Sequence, residues 1–475
     1  MIRAGLDIRT ALLRRGRSPL LHDLSGGIRT GEQLVTNVDR LAGALRETNR
    51  KLDRIGLWYR NSLSAVEGYL AAEWLGATRV PVDPNASVQE AAATFDAADV
   101  GLVLSDDARS NSFNKPSLLH TDASQLTGDP FWPNISVADT KCAVLYPRSV
   151  SQNRLFAIPF SYRNWQAITR TNIHLYQSGY YGPWLGENEC FLAAQQIMHG
   201  TGLVGTYPFL AMGLPQVIVD QFEPERIIDA IQRHKVTATM LVPVMLLRLA
   251  KAARMRQLGI NSLAHVLYGG GPVTSDQLRE ALHSLGPVLV QLYGRMEGGW
   301  PISVLGIDEH RAIMEGRNDL AQSCGKPIEN VEVKLITSGS EKRDCGELWV
   351  RSEMNVEEYT DANGWCSLGD IMRRDNEGYL YFAGRNDRMI NTGYHVYPAE
   401  IEIAIAEHPD IHAVRVVGEV SAEYGQTIVA YIVLHNTTSN EEATVRLKKY
   451  LQGRLAKYKV PHVFRVVNER ELPAI

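Results

Sequence analysis

The chain has 475 residues, of which 45% are hydrophobic and 21% charged, and its formal net charge is -4. This length is sufficient for two or more domains with sizeable cores. The small negative charge argues against a general role on nucleic acid or anionic membranes, so we expect a small molecule or another protein as the partner. The five cysteines lie far apart without a CxxC pair, which indicates neither a disulfide framework nor a structural zinc site and favours the cytoplasm.

Amphipathic helices and short apolar strands alternate over much of the chain. The opening segment MIRAGLDIRTALLRRGRSP is predicted to form a short helix, and a solvated helix end explains its arginines more simply than a targeting function. Helix, strand, helix and strand follow between Arg29 and Pro81, and the same alternation recurs as far as Gly294. No apolar run approaches the ~20 residues that a membrane helix needs. This order predicts a largely parallel α/β architecture, in which ligands bind at the carboxyl ends of strands.

Short strands and turns replace this alternation after about Asn330, which predicts a small β-rich subdomain. The C-terminal part returns to a mixture of helices and strands, such as AEIEIAIAEH and TIVAYIVL. No internal repeat, low-complexity segment or long linker marks a domain boundary. The boundary therefore has to come from a specific motif.

That motif is GRNDRMINTGYHVYPAEIE, between Gly384 and Glu402, which combines fixed charges with glycines. A Gly-Arg-X-Asp sequence alone occurs in many surface turns, but here an apolar residue, Gly393 and a helix start at Pro398 follow it. The segment resembles the hinge of the adenylate-forming ligases, which include acyl-CoA and aryl-CoA synthetases, adenylation domains of peptide synthetases and luciferases. The resemblance extends over nearly the whole chain in order.

The resemblance implies a fold in two parts. We expect a large N-terminal domain of parallel α/β subdomains with a small β-rich subdomain, residues 1–384, and a small mobile α+β domain, residues 385–475. Asp387 is the expected pivot, and Gly393 belongs to the same hinge. In this family a carboxylate attacks the α-phosphate of ATP to give an acyl-adenylate, and a thiol or amine then displaces AMP. The C-terminal domain swings between the two steps, so that one site serves both.

The segment from Tyr293 to Glu297, YGRME, looks like the YGxTE element of the family. The resemblance implies that Tyr293 stacks on adenine beside Gly294, and that Glu297 is catalytic and holds Mg²⁺. Met296 stands where the family has a threonine that bonds the phosphate. Without the other motifs, a strand end with a buried tyrosine and an exposed glutamate is the simpler interpretation.

A triple glycine follows a predicted strand in YGGGP, Tyr268 to Pro272, and resembles a loop that runs along the adenine and acyl pockets. Glycines let the backbone approach a flat ligand closely. As a bare motif, a triple glycine indicates only a turn. The residues that the resemblance assigns to these pockets are Gly269, Gly270, Gly271 and Pro272.

Three further residues fall where the family lines its acyl pocket. His199, in QQIMHGTGL, lies at the position of a histidine beside the acid to be activated, and a structural histidine at a helix end is an equal alternative. Trp300 and Pro301 follow the YGRME element, and an indole at this point indicates a short or planar acid unless it is a core residue.

The segment Ser367 to Asp370, SLGD, is similar to a family element whose aspartate accepts the two ribose hydroxyls. A carboxylate is the natural acceptor for a vicinal diol. Arg385 is implied to reach the same ribose and to act in catalysis. The alternatives are a turn cap for Asp370 and a surface ion pair for Arg385.

The family's glycine-rich phosphate loop should lie between Tyr146 and Tyr162, but this segment contains neither glycine nor lysine. The glycines turn backbone N–H groups toward phosphate and the lysine supplies positive charge, so both devices are missing. Four side chains of the segment bind phosphate instead, unless it is an ordinary solvated loop: Arg148, Ser149, Ser151 and Arg154. Asn391 replaces a common hinge lysine, and no lysine follows Pro473, where the family has one that bridges the acid and the α-phosphate.

The retained motifs hold adenosine, whereas the altered ones serve the attack on ATP. Three functions therefore compete: an acid ligase that retains adenylation, an acyl-transfer enzyme that takes a preformed acyl-adenylate or thioester, and a non-catalytic relative that binds a nucleotide or acyl ligand or serves as a partner subunit. We predict an acyl- or aryl-acid activating or acyl-transfer enzyme of the AMP-forming type, with impaired or altered use of ATP, acting in cytoplasmic biosynthesis. The implied cofactors are AMP or ATP and Mg²⁺. The implied partners are a small carboxylic acid or its activated derivative and a thiol, amine or carrier-protein acceptor.

Overall fold

The structure is a computed structural model that describes residues 2–3, 5–48, 50–113, 115–120, 129–132, 136–151, 154–256, 260–337, 340–342, 344–385, 390–391, 395–396, 398–421, 425–435, 440–452, 454–455 and 459–473. The helices of these residues are α1 (Leu6–Arg15), α2 (Gly31–Glu47), α3 (Leu63–Trp74), α4 (Val88–Ala97), α5 (Tyr162–Gln177), α6 (Gly200–Met212), α7 (Pro224–His234), α8 (Pro243–Arg256), α9 (Ser275–Leu285), α10 (Ile307–Met314), α11 (Pro398–Ala406) and α12 (Asn440–Gln452). In this part of the chain, none of the helices has the length and apolar composition of a membrane-spanning segment.

The strands of the described residues run through the whole chain. They are β1 (Ile2–Arg3), β2 (Pro19–Asp23), β3 (Ile28–Thr30), β4 (Arg54–Trp58), β5 (Thr78–Pro81), β6 (Leu102–Ser105), β7 (Ser117–Leu119), β8 (Ser136–Val137), β9 (Cys142–Ser151), β10 (Arg154–Ser161), β11 (Phe191–Ala193), β12 (Gln216–Ile218), β13 (Ala238–Leu241), β14 (His265–Gly269), β15 (Leu289–Arg295), β16 (Gly299–Leu305), β17 (Lys326–Pro327), β18 (Glu332–Thr337), β19 (Ser340–Lys342), β20 (Cys345–Arg351), β21 (Cys366–Arg374), β22 (Leu380–Arg385), β23 (Ile390–Asn391), β24 (His395–Val396), β25 (Ile411–Ser421), β26 (Gly425–Leu434) and β27 (Val463–Val466).

Two large sheets form the N-terminal part and confirm the predicted α/β architecture. One sheet has the order β10-β9-β5-β4-β6-β7, with parallel pairing except between β9 and β10. The other has the order β17-β16-β15-β14-β13-β11-β12-β2-β3, and its central strands β15 to β2 are parallel. Parallel strands with helices on their faces are apolar over their length, and β4, β6, β13 and β14 are almost entirely buried.

The predicted β-rich subdomain is an antiparallel sheet with the order β19-β18-β20-β21-β22. The C-terminal part contains α11, α12 and a sheet with the order β25-β26-β27 around a hydrophobic core of its own. Arg385 is the last residue of β22 and pairs with Asp370 of β21, so its backbone belongs to the β-rich sheet. The boundary between residues 384 and 385 stays a prediction, and Asp387 and Gly393 lie outside the described residues.

The predicted phosphate-loop segment forms a β-hairpin, which β9 and β10 build at the edge of the first sheet. The end of β10 is fixed to the segment that carries Glu297. Ser161 caps α5 by accepting a hydrogen bond from the backbone N–H of Asn164, at 3.2 Å. Asn164 Nδ2 donates to the Asn355 carbonyl at 2.7 Å, and the next amide, that of Val356, donates to the Glu297 carbonyl at 2.9 Å. The hairpin and the YGRME element therefore share a common support.

Candidate functional site

Three strands bring together the residues predicted to hold adenosine. Tyr293 on β15 donates its phenol hydrogen to Asp370 Oδ2 on β21 at 2.6 Å. Arg385, at the end of β22, places Nη1 3.4 Å from Asp370 Oδ1. A Cβ at Gly369, which has φ +69°, would lie 3.7 Å from Arg385 Nη2. Glycine is therefore suited to this turn through its left-handed backbone.

Asp370 is 3% exposed, and its carboxylate is the centre of this group. Burial is the largest influence and raises its pKa above the ordinary value, while the bond from Tyr293 and the charges of Arg295 and Arg385 oppose it. Ionised carboxylates offer about four acceptor sites, so two neighbours leave room for a diol. The geometry is compatible with the predicted ribose site, whose assignment to this chain stays a prediction.

A second carboxylate, Glu297, lies between two arginines. Arg148 Nη2 on the hairpin donates to Glu297 Oε1 at 2.7 Å, and Arg295 Nε lies 3.6 Å from Glu297 Oε2. Arg295 Nη1 is also 3.9 Å from Asp370 Oδ1. The five side chains form one continuous group, which we call the charge cluster: Arg148, Arg295, Glu297, Asp370 and Arg385.

The hairpin aims Arg148 at Glu297 through a β-bulge. Phe156 pairs with Ser149 and Ala157 pairs with Pro147, so Arg148 is the additional residue on β9. A bulge bends its strand and redirects the side chain at that position. Of the four phosphate-loop side chains predicted above, this one alone is described. For Ser149, Ser151 and Arg154 the structure describes the backbone and not the side chain, and their roles stay predictions.

Sequence reasoning missed Arg295. It occupies the variable position of the YGxTE-like element, between the residues predicted to bind adenine and metal. The sequence did offer one indication, because the positively charged Arg295 lies between Tyr293 and Glu297, both of which were predicted to bind the ligand. Its position next to both carboxylates follows from the pairing of β15 with β16, which is irregular between Tyr293 and Arg295.

Two residues of the predicted acyl pocket, Trp300 and Gly269, lie together near the carboxyl ends of β14 and β15. A Cβ at Gly269 would lie 2.2 Å from the Leu292 carbonyl oxygen and 3.1 Å from the Trp300 indole, and one at Gly294 would lie 2.8 Å from that indole. The indole therefore packs over two backbones that only glycine allows to approach so closely. Trp300 is half-buried, and its Nε1 is buried without a hydrogen-bond partner in the described residues.

The remaining pocket residues differ in exposure. Gly270, with φ +83°, Gly271 and Pro272 form an exposed turn after β14, where a ligand has access to the backbone. Pro301 is buried in β16. These positions agree with the predicted pocket wall, and their contact with a ligand stays a prediction.

His199 is the N-cap residue of α6 and forms no capping bond with its side chain. The imidazole is exposed on one side, but desolvation by the surrounding protein lowers its pKa, with Asp83 opposing this effect. No hydrogen bond or ion pair within the described residues joins His199 to the charge cluster. The structure thus leaves both interpretations of this histidine open.

The predicted Mg²⁺ site does not fit the described arrangement. Mg²⁺ requires oxygen ligands at about 2.0–2.1 Å in octahedral geometry. One oxygen of Glu297 accepts from Arg148 and the other faces Arg295, so a cation on this carboxylate would meet two guanidinium groups. No group of three His, Cys, Asp or Glu side chains among the described residues is arranged to hold a metal.

Comparison with known families matches two family profiles to this chain. The profile of the AMP-binding enzyme family matches residues 9–145 and 157–360, and that of the AMP-binding enzyme C-terminal domain matches residues 400–474. The unmatched stretch between the first two segments, residues 146–156, is the central part of the hairpin that lacks glycine and lysine. The departure seen in the sequence is thus a departure from the family pattern.

Individual relatives are CoA ligases. The chain is 26% identical to 2-succinylbenzoate–CoA ligase of Oceanobacillus iheyensis over 88% of its own length and 86% of the relative. It is 29% identical to medium/long-chain-fatty-acid–CoA ligase FadD8 of Mycobacterium tuberculosis, over 54% of the chain and less than half, 46%, of that relative. The fold matches o-succinylbenzoate CoA synthetase of Bacillus subtilis in complex with its acyl-adenylate intermediate, with a TM-score of 0.81, 24% identity and coverage of 96% and 94%. The chain therefore belongs to the AMP-binding enzyme family, the adenylate-forming ligases that its hinge sequence resembles.

Proposed function

We propose that this protein transfers an acyl or aryl group from an acyl-adenylate to a thiol, with altered use of ATP. The observation that supports this proposal most directly is the contact of Tyr293 and Arg385 with the buried Asp370. These residues match the adenosine-holding motifs of the family, whereas the glycine-rich phosphate loop is replaced by a hairpin. The site retains a hold on the sugar and has lost the usual hold on the outer phosphates.

The described residues suit the acyl-transfer half of the reaction. Asp370 accepts the ribose hydroxyls, Tyr293 fixes the orientation of that carboxylate, and the exposed turn at Gly270 provides backbone contacts for the adenine. The indole of Trp300 limits the acyl pocket to a short or planar acid. The thiol sulfur then bonds to the acyl carbon, the bond from that carbon to the phosphate oxygen breaks, AMP leaves with the electron pair, and the thiol proton passes to solvent.

We choose coenzyme A as the first acceptor to test, because the relatives carry the names of CoA ligases. An amine or a carrier protein stays a prediction. For the acid we choose aryl acids, since 2-succinylbenzoate is the acid in the name of the relative that aligns over most of the chain. Both choices rest on similarity to these proteins.

A single-turnover reaction tests the proposal. A synthetic aryl-adenylate, such as benzoyl-adenylate, is mixed with excess protein and coenzyme A, and thioester and AMP are measured. We expect both products with the wild type. Asp370→Ala should weaken adenylate binding by roughly tenfold or more, because the ribose loses its charge-assisted hydrogen bonds. Asp139→Ala is the control, because this partly exposed aspartate forms an ion pair with Arg163 at 3.1 Å and has no ion pair with the charge cluster among the described residues. No thioester above the rate without protein would contradict the proposal.

A second candidate is a non-catalytic relative that binds a nucleotide or acyl ligand. The hairpin that replaces the phosphate loop favours it. The two candidates differ in one measurement, since a binding protein retains the aryl-adenylate without accelerating its transfer. Exchange of pyrophosphate into ATP separates both of them from a complete acid ligase.

A further inference from the structure

Glu297 carries two features that the proposed function does not explain. Its side chain is only 10% exposed, and both of its oxygens face guanidinium groups, at 2.7 Å from Arg148 Nη2 and 3.6 Å from Arg295 Nε. In addition, Glu297 Oε2 and Arg295 Nε are buried without a hydrogen-bond partner in the described residues. These two atoms lie just beyond hydrogen-bond distance of each other and form an ion pair, so the carboxylate is held between two cations. The half-exposed Arg148 guanidinium has five N–H groups, of which the contact with Glu297 uses one, so it retains donors for a polar ligand.

The charge of the cluster defines the ligand that it accepts. Three guanidinium groups and two carboxylates leave one net positive charge. This balances the single negative charge on the phosphate of an acyl-adenylate, which is esterified to the ribose and joined to the acyl group as a mixed anhydride. Arginine binds phosphate oxygens with two parallel N–H groups and retains its charge at all working pH values. A triphosphate carries more negative charge, and the segment of residues 146–156 contains neither the glycines nor the lysine with which the family's phosphate loop binds it.

The hairpin shows that the position of Arg148 is built into the fold. The bulge places this residue, and not a neighbour, opposite Glu297. The Arg148 side chain is 49% exposed, so its guanidinium contacts the carboxylate and remains accessible to a ligand. Arg148 and Arg295 together place two positive charges beside the buried carboxylate, which is the charge that a divalent metal would otherwise supply.

We propose that the Arg148 guanidinium occupies the place of the magnesium ion on Glu297, so that the cleft binds the phosphate of AMP or an acyl-adenylate without a divalent metal. This inference rests on the proposed function, because it assumes that adenosine is held at Asp370. Arg295 supplies the second guanidinium for the same phosphate. Glu297 is then a positioning residue that orients both arginines.

Titration calorimetry with AMP and with ATP, each in magnesium and in EDTA, tests the inference. For the wild type we expect that magnesium does not strengthen the binding of either nucleotide and that ATP binds no more tightly than AMP. Arg148→Ala should weaken AMP binding by roughly tenfold or more. The AMP affinity of Arg148→Lys should lie between those of the wild type and Arg148→Ala, because lysine keeps the positive charge but lacks the two parallel N–H groups of arginine. The matched control is Arg163→Ala, whose side chain is 47% exposed and pairs with Asp139.

The possible results distinguish a failure of this inference from a failure of the proposed acyl-transfer function. A tenfold or larger gain in ATP affinity on adding magnesium to the wild type would overturn the metal replacement and leave the proposed function intact. AMP affinity of Arg148→Ala within about twofold of the wild type would overturn it as well. Absence of AMP and aryl-adenylate binding to the wild type would refute the proposed function itself. Circular dichroism and thermal unfolding of each variant confirm that the fold is retained.

Discussion

Asp370 accepts a hydrogen bond from Tyr293 and lies beside two arginines, yet it is almost completely buried. Burial raises its pKa, and its three neighbours oppose this change. Protonation places a hydrogen on one oxygen and removes acceptor sites that the ribose hydroxyls need. We therefore expect AMP affinity to decrease as the pH falls through this raised pKa.

The variant Asp370→Asn isolates this titration. Asparagine has a similar shape but does not ionise, so we expect about tenfold weaker AMP binding at neutral pH and no further loss on mild acidification. Calorimetric titrations at neutral and mildly acidic pH measure both effects, with circular dichroism at each pH as the check on folding. If the variant keeps the acid sensitivity of the wild type, another group controls it.

The residues predicted to hold adenosine could be grouped from the sequence because each stands in a short motif, and their role in binding stays a prediction. Tyr293, Asp370 and Arg385 are far apart in sequence, and the structure brings them within hydrogen-bond or ion-pair distance. The partner of Arg148 was not predictable, because the contact depends on a one-residue bulge that no pattern in the segment indicates. The metal role of Glu297 was inferred from resemblance alone, and the two guanidinium groups beside it became visible only in three dimensions.

At the scale of elements, the hairpin of β9 and β10 shows why a sequence departure changes local structure. A phosphate loop needs glycines to adopt backbone conformations that other residues avoid. The segment here has none, and it contains Val150, Leu155 and Phe156, which favour strands. Strand β9 therefore extends to Ser151 and β10 begins at Arg154. The sequence had predicted a loop in this segment, either phosphate-binding or solvated. The alternation of helices and strands elsewhere was predictable, because it depends on periodicity over many residues.

The second sheet contains a buried polar contact that ties β11, β13 and β14 together. His265 at the start of β14 places Nε2 3.0 Å from Glu189 Oε1 and Nδ1 3.1 Å from the Tyr181 carbonyl. Thr237 donates its hydroxyl to the other oxygen of Glu189. Desolvation works to raise the pKa of Glu189, but the hydrogen bonds from His265 and Thr237 outweigh it and lower that pKa.

Loss of one partner of this contact should destabilise the sheet. We expect Glu189→Ala to lower the free energy of unfolding by about 1–3 kcal/mol at neutral pH, because His265 Nε2 and the Thr237 hydroxyl lose the carboxylate that they contact in a buried site. The folded pKa of Glu189 is depressed, so its contribution is present above the ordinary value of 4.5 and is lost as pH falls through the lower folded value. The difference between wild type and variant should thus narrow in acid. Urea unfolding of the wild type and of Glu189→Ala, at neutral and at acidic pH, measures this difference in the free energy of unfolding.

The control for this prediction lies two residues away. Glu187 is 88% exposed and forms only a 3.5 Å ion pair with Arg15, so Glu187→Ala should change the free energy of unfolding by less than about 1 kcal/mol. Equal destabilisation by the two substitutions would show that burial of Glu189 is not the cause. A difference that stays constant in acid would contradict the assigned pKa direction.

At the scale of the whole molecule, the chain has separate hydrophobic cores in its N-terminal and C-terminal parts. Composition did not reveal this division, because both parts have ordinary globular sequences and no polar linker joins them. The hinge motif predicted two parts, because its charges and glycines resemble the hinge between the two domains of the adenylate-forming ligases. Gln322 Nε2 donates to Glu407 Oε1 at 3.0 Å, which is an exposed contact between the 3₁₀ helix ahead of β17 and the residue after α11.

The expected movement of the C-terminal domain can be tested at its predicted pivot, Asp387. Proline fixes φ near −65° and removes an N–H donor, so Asp387→Pro should restrict rotation at this point. AMP binding should stay within about twofold of the wild type, because Tyr293 and Asp370 lie outside the pivot. Transfer of the aryl group to coenzyme A should slow by ~100-fold, the typical cost of misplacing a reacting group. Asp387→Ala removes the charge without restricting φ and should slow transfer less; equal rates for the proline variant and the wild type would exclude Asp387 as the pivot.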